Sequence, residues 1–531
     1  MSTPHNKSKL FDSTFIPQWL KLFSLTLLAY FSYILEFMWG NHDWQWIKEN
    51  TPFLSGLFEG RFSQFILQST LTENLILPIT TITLAIAFYT LGITLFINLF
   101  FKNRSPLSYI LIGLFISTSP YSISWLYFAF ITLSCFSWPF FIILAFFITN
   151  NNNTKLPYPT QYLISTILFL LALGGYPPSI NMICSIFFIS IIHNICFNNY
   201  TTKLIIKKAL PLGISISLSV FLLLTIQYFL KKYNLQQETY NTASITLSNI
   251  DTKFIQTLSL SLKQFINQTT FIGYLYKYLT LCITLTSLYI LISKLPKTFA
   301  HIALFTLSII GLLISSILTT FIAQNINYVM FEPRIEFFGL LYIYAYSTIT
   351  LFKQNNQLIK NLCFITIILL IFNNINTLNY SLKIWKLGFK GETSLINRII
   401  NRIELQKNFH PIRKYTFIQS GVLNYRERFH TPSPAEDPDS YTLLAPYIPW
   451  HLPSKAYKFY TTTDYFGNDY DVFWQYIPRQ LKTMYPNLPH YIKTQATIWP
   501  HHNSIFIQND LMVLILNKQI LQNAKIWSQI N

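Results

Sequence analysis

Two short stretches gather the residue types that group transfer needs. The first reads Trp39-Gly40-Asn41-His42-Asp43-Trp44, followed by Gly56-Leu57-Phe58-Glu59-Gly60-Arg61-Phe62. The second reads Phe331-Glu332-Pro333-Arg334-Ile335-Glu336. Asp43 directly follows an apolar run and is flanked by aromatic residues, so its carboxylate is partly desolvated. Desolvation raises basicity and suits a general base; a solvated loop acid is the competing reading. In Gly-x-x-x-Gly-Arg, the guanidinium of Arg61 sits beside permissive backbone and offers a phosphate its fork of donors. A surface pair of Arg61 with Glu59 is the plainer alternative. Pro333 fixes Glu332 and Arg334 near each other, either as a second grip on phosphate or as an internal ion-pair cluster.

Acids are scarce here, which gives them weight. Between Ser13 and Asn379 they are Glu36, Asp43, Glu49, Glu59, Glu73, Glu238, Asp251, Glu332 and Glu336. A carboxylate near lipid is expensive and usually marks a site or a partner. The chain has 531 residues, 51% hydrophobic and 11% charged, against about 25% charged in soluble domains. It therefore reads as a polytopic α-helical membrane protein whose partner is the lipid bilayer. A formal net charge of +18 raises nucleic acid as a partner. The basic residues, however, are scattered through short loops and not gathered into one face interleaved with stacking aromatics, so no nucleic acid is expected.

About eleven segments are long enough to cross roughly 30 Å of hydrocarbon. They lie near 19–39, 75–101, 106–122, 126–149, 160–178, 179–197, 209–230, 271–293, 299–322, 337–352 and 360–378. Trp19–Trp39 is too long for a cleaved leader and reads as a permanent anchor. The connections 102–105, 150–159, 198–208, 294–298 and 353–359 carry Lys102, Arg104, Lys155, Lys203, Lys207, Lys208, Lys294, Lys297 and Lys353, and no acid. The positive-inside bias assigns them, and the N-terminus, to the cytoplasm. All nine acids then fall on the outer side. Cys135, Cys184, Cys196, Cys282 and Cys363 lie in or at the ends of apolar segments and offer no disulfide framework or metal site.

Three outer loops, 40–74, 231–270 and 324–336, are too long or too polar for plain connections. The Ile/Leu/Phe spacing over Asp251–Phe265 predicts an amphipathic helix on the interface. Lys231 and Lys232 suit anionic headgroups or a lipid carrier. Gly174-Gly175-Tyr176-Pro177-Pro178 predicts a tight outer turn. The first 378 residues thus form a membrane domain. Residues 379–531 form a soluble α/β domain outside, with a helix over Thr393–Gln406, a strand over Lys414–Ile418 and a hairpin of 504–508 and 511–516 around Asn509-Asp510. His501-His502 lacks a third ligand at zinc spacing. No metal site or cofactor is indicated, although a divalent ion at Asp43 stays open.

This pattern resembles the C-type glycosyltransferases, and within them is most similar to the type II Gtr glucosyltransferases that decorate bacterial O-antigen. The likeness rests on Asn41-His42-Asp43-Trp44, Glu59-Gly60-Arg61-Phe62, Gly174-Gly175-Tyr176, Glu332-Pro333-Arg334, Asn397-Arg398-Ile399 and Gln419-Ser420-Gly421. One departure is His42, which stands where a second acid is expected. The resemblance implies a hexosyltransferase, with glucose as the sugar, using a polyprenyl-phosphate donor and a surface-glycan acceptor on the periplasmic face of the inner membrane. It casts Asp43 and Glu59 as catalytic acids, Arg61 and Arg334 as donor-phosphate ligands, and His42, Tyr176 and Glu332 as substrate contacts. A flippase and a polyprenyl-phosphate glycosyltransferase would be functional partners.

The competing readings are a transporter or flippase of a lipid-linked glycan and a non-catalytic scaffold for envelope assembly. Transport needs ionisable residues along a path through the bilayer, and the apolar segments hold almost none at mid-depth. The orientation is tested by thiol labelling. Gln237→Cys is expected to react with a membrane-impermeant maleimide in intact cells, and Asn152→Cys only after permeabilisation. The opposite labelling pattern would invert the topology.

Overall fold

The computed structural model describes residues 14–37, 56–235, 250–267, 278–322, 357–420, 466–472 and 486–516, with short breaks inside these stretches. The chain divides into two compact units, Met1–Phe37 with Asn50–Leu382 and Met38–Glu49 with Lys383–Asn531. The first unit is helical. Its elements are α1 (Phe15–Ala29), α2 (Phe31–Leu35), α3 (Phe62–Leu71), α4 (Pro78–Phe100), α5 (Pro106–Ser117) and α6 (Ala129–Asn150). They continue as α7 (Tyr158–Gly175), α8 (Ile180–Cys196), α9 (Thr202–Lys232), α10 (Ile250–Asn267), α11 (Phe299–Ile322) and α12 (Gln357–Glu404), the last entering the second unit.

Water is absent from a bilayer core, so an apolar chain crossing it satisfies its own backbone within helices. Among the described residues, 78–100, 131–150, 158–175, 177–196 and 202–232 are long and apolar enough to cross. Four further apolar helices, Phe15–Ala29, Pro106–Ser117, Phe299–Ser315 and Phe364–Tyr380, are shorter. Of the eleven segments expected, 337–352 lies outside the described residues, and 271–293 is described only in part. The protein is a membrane protein.

Apolar lipid gives helices no hydrophobic reason to associate, so small residues and internal hydrogen bonds hold the bundle. Helix α4 packs on α6 where Gly92 admits the neighbouring backbone: a Cβ there would lie 2.8 Å from the Phe140 nitrogen. Around this contact Tyr89, Trp125 and Phe136 meet edge to face, at 5.9 Å for Tyr89–Trp125, 5.3 Å for Tyr89–Phe136 and 5.1 Å for Trp125–Phe136. Each such pair contributes about 1 kcal/mol beyond burial. The expected first helix over 19–39 instead breaks at Tyr30, between α1 and α2. Tyr30 is fully buried there; its hydroxyl lies 2.6 Å from Ser122 Oγ and 3.0 Å from the Ser117 carbonyl. A second seam joins α8 to α11. Gly311 faces the Phe188 ring, Ser185 and Ser315 share a hydrogen bond at 2.9 Å, and Asn181 pairs with Thr319 through its side-chain amide.

Helix α10 covers the stretch expected to be amphipathic. It buries Lys253 and Thr257, and exposes Phe254, Ile255 and Leu258 together with the polar Asp251, Thr252, Gln256 and Ser259. Burial pushes the Lys253 ammonium below its ordinary range.

In the second unit four strands form a sheet in the order β2-β1-β4-β3, with β1 Tyr415–Ser420, β2 Phe466–Val472, β3 Ile505–Gln508 and β4 Leu511–Ile515. Strand β1 runs parallel to β2 and β4, and β3 and β4 form an antiparallel hairpin. Asn509 turns that hairpin at a φ of 54°, in the left-handed region that Asn tolerates. The end of α12, through Ile396, Ile399 and Ile403, packs on Tyr415, Phe417, Met512 and Leu514. Arg402 lies over the Trp499 ring at 5.1 Å, and Tyr491 stacks on Phe506 at 4.1 Å. Burial pushes the Tyr491 phenol up to about 12.

Sequence spacing predicts a spanning helix over 360–378 and a separate one over 393–406; the structure joins them in α12. No proline falls within it, and single glycines cost only about 1 kcal/mol each. The glycine contacts yield a paired test. Gly92→Ala is expected to destabilise the solubilised protein by about 1–3 kcal/mol through overpacking. Gly213→Ala, where only the Phe187 ring lies within 4.0 Å, is expected to be neutral or stabilising. Equal thermal midpoints for the two variants would refute close α4–α6 contact.

Candidate active site

The expected outer loop 40–74 contains α3, a short helix whose polar side faces inward. Ser63, Gln64 and Gln68 are buried while Ile66 and Leu71 are exposed. Beside lipid the polar face of a helix turns toward protein, where partners exist. Helix α3 packs against α6 and the end of α7. Ser63 donates to the Leu171 carbonyl at 2.5 Å, and Ser134 of α6 donates to the Gly175 carbonyl at 3.0 Å.

Both glycines of the Gly174-Gly175 pair are needed at this junction. A Cβ on Gly174 would run into the Phe62 ring, and one on Gly175 would lie 2.8 Å from Ser134 Oγ and 3.0 Å from Ser63 Oγ. The chain leaves α7 through an extended Tyr176 and one 3-10 turn, Pro177–Ser179, before α8 begins. This is the tight turn expected from the sequence, built as a helical hairpin.

The Gly-x-x-x-Gly-Arg motif has a backbone explanation. Gly60 adopts a φ of 73°, which an L side chain resists by about 1–2 kcal/mol. That conformation reverses the chain, so Gly60 N–H donates to the Leu57 carbonyl at 2.9 Å and Arg61 N–H to the Gly56 carbonyl at 2.5 Å. Arg61 then stands at the head of α3, half-buried, with its guanidinium 5.3 Å from the centre of the buried Tyr176 ring. A cation over a tyrosine face gains about 0.5–2 kcal/mol, more as water is excluded. Arginine suits the position because its planar, weakly hydrated cation stacks on an aromatic face.

Of the residues with expected roles, the structure brings Arg61 and Tyr176 together. His42, Asp43, Glu59, Glu332 and Arg334 lie outside the described residues. Sequence reading missed Ser63, Gln64, Gln68 and Ser134. Their signal was present: Gln64 and Gln68 recur at helical spacing on one face of an otherwise apolar decapeptide. Among the described residues no group of three or more His, Cys, Asp or Glu could hold a metal ion. Arg61 is the described cation at this junction, beside the buried Ser63, Gln64, Gln68 and Ser134.

The junction is tested by steric compensation. Gly174→Ala is expected to lower the thermal midpoint, by the equivalent of about 1–3 kcal/mol, and Phe62→Leu in the same chain to recover part of that loss. Additive losses in the double variant would refute the contact.

A family model described as Glucosyl transferase GtrII matches residues 47–352, more than half of the chain. The matched span includes α3, the helical hairpin, Arg61 and Tyr176. No curated protein and no solved structure matches the chain.

Proposed function

The chain belongs to the glucosyl transferase GtrII family, and from that membership we propose that it takes glucose from a polyprenyl-phosphate donor. The acceptor is a hydroxyl of a surface glycan of the O-antigen kind, on the periplasmic face of the bacterial inner membrane. The protein is a glycosyltransferase embedded in a membrane; donor, acceptor and face are the added steps. The observation that supports them most is Arg61, aimed by Gly60 and braced on Tyr176 at the junction of α3, α6 and α7.

In this reading Asp43 takes the proton of the acceptor hydroxyl as its oxygen attacks the anomeric carbon. The bond from that carbon to the phosphate oxygen breaks, the electron pair leaves with the lipid phosphate, and the anomeric centre inverts. Arg61 and Arg334 stabilise the charge that develops on the phosphate. Glu59 is the second catalytic acid, and Glu332 and His42 hold sugar hydroxyls. A lipid phosphate is already a fair leaving group, so positioning and charge stabilisation supply most of the acceleration.

Tyr176 serves here by orienting Arg61. The decisive assay follows sugar transfer in proteoliposomes carrying a polyprenyl-phospho-glucose donor. Arg61→Ala is expected to lower kcat/KM by about a hundredfold, the loss of a charge-assisted phosphate contact, with Arg61→Lys recovering only part of it. Asp43→Asn is expected to abolish transfer in correctly inserted protein. Tyr176→Phe keeps the ring and should transfer normally, whereas Tyr176→Leu should lose about tenfold. A wild-type rate in Arg61→Ala would refute the phosphate role, and one in Asp43→Asn would move the base to Glu59 or Glu332.

A further inference from the structure

We infer that the end of α8 remote from Arg61 holds a binding site for an anionic phospholipid, with its headgroup phosphate on Lys203 and Lys207 and an acyl chain in the groove between α8 and α9. Helix α8 starts just after Tyr176 and the 3-10 turn, and ends at Cys196, about 26 Å further on. At that far end the chain turns through Tyr200 into α9, and the segment ending in Lys294 and Lys297 returns beside it. The two are tied together: Cys196 Sγ contacts the Leu291 carbonyl, and His301 Nε2 lies 3.0 Å from the Tyr200 carbonyl. Lys208 lies 4.8 Å from the Tyr200 ring centre and Lys294 lies 5.1 Å from that of Phe197. Five lysines therefore share one end of the helix pair, Lys203, Lys207, Lys208, Lys294 and Lys297. The segments 193–210 and 288–301 contain no Asp or Glu.

A one-sided excess of lysine alone is what positive-inside insertion would leave. The groove makes this place different. It has a volume of about 710 Å³ and is lined by Phe187 on α8 and by Ile206, Leu210, Gly213, Ile214 and Phe221 on α9. Those α9 positions form one stripe at helical spacing, and the stripe continues back onto Lys203 and Lys207, which are exposed. Lys203 and Lys207 thus lie on the helix face that continues into the apolar groove, in the turns that precede most of its lining. Gly213 keeps the groove open, since a Cβ there would have only the Phe187 ring as a neighbour, at 4.0 Å.

The ligand that matches fixed cations at one end and hydrocarbon along the rest is a lipid with an anionic headgroup. A lipid whose phosphate rests on Arg61 would enter from the opposite end of α8, so the donor does not account for this groove.

The test uses the full chain purified in a neutral detergent, with lipid occupancy read by native mass spectrometry as dioleoyl phosphatidylglycerol or dioleoyl phosphatidylcholine is added. Phosphatidylglycerol is expected to bind at least about tenfold more tightly, and Lys203→Glu with Lys207→Glu to abolish that preference. Gly213→Leu, which fills the groove without touching the lysines, is expected to reduce binding of both lipids. Lys203→Arg with Lys207→Arg, which keeps both charges, should retain the preference and shows that the two positions tolerate substitution. Equal binding of the two lipids would overturn the site, as would an undiminished preference in the Lys203/Lys207 variant. Protection by inorganic phosphate alone would reduce it to an anion site without a chain. Displacement of phosphatidylglycerol by an equal amount of polyprenyl phosphate would reassign the groove to the donor.

Discussion

Two hydroxyl-to-carbonyl hydrogen bonds, Ser63 to Leu171 and Ser134 to Gly175, hold the junction of α3, α6 and α7 together. They act where hydrophobic association gives little, because lipid is as apolar as the helix surfaces it touches. Each is modest in isolation, yet both are donated to carbonyls in the last turns of α7, and that of Gly175, the last helical residue, has no intrahelical donor. Satisfying those carbonyls with serines from α3 and α6 fixes three helices at one point. Glycine at 174 and 175 is what allows the approach. The position of Arg61 follows from this docking: it is the first residue before α3, and α3 has nowhere else to place its buried Gln64 and Gln68.

Much of the helical frame was legible in the apolar runs, because a segment in a bilayer has few alternatives to a helix. The β3–β4 hairpin was equally plain from alternating residues around Asn509-Asp510. What escaped had a common cause. Strand β2, Phe466–Val472, contains Gly, Asn and two Asp, so its place in the sheet comes from pairing with β1 and not from its own pattern. The continuity of α12 was hidden because its apolar character ends well before its hydrogen bonding does. Helix α3 looked like part of a solvated loop because glutamine and serine usually mean water. Only the membrane setting reverses that inference and turns the polar face inward.

The meeting of Arg61 with Tyr176 was also beyond the sequence. Both had been singled out, one as a phosphate ligand and the other as a substrate contact, but nothing in their spacing links them. In the structure the buried Tyr176 ring lies beneath the Arg61 guanidinium, and in the proposed transfer it acts on the ligand through that cation. The same kind of evidence separates the lysines of α9 into two groups. Lys231 and Lys232 lie in the last turn of α9, where cations complement its dipole, whereas Lys203 and Lys207 lie in its first turns, on the face that continues into the apolar groove.

A cation that must stabilise a departing phosphate works only if it does not reorganise as charge develops. A lysine at position 61 would carry the same charge on a flexible stem with a tightly held hydration shell, and much of its interaction would go to ordering itself at the moment of reaction. Arg61 begins with those costs largely met. Gly60 sets its backbone, the α3 docking sets its distance from α7, and Tyr176 holds one face of the guanidinium. The ring's contribution, about 1 kcal/mol, is small beside the binding of a phosphate. It is nevertheless present before the substrate arrives and does not weaken as the bond breaks, so in the proposed transfer Arg61 is spared reorganisation when charge develops on the phosphate.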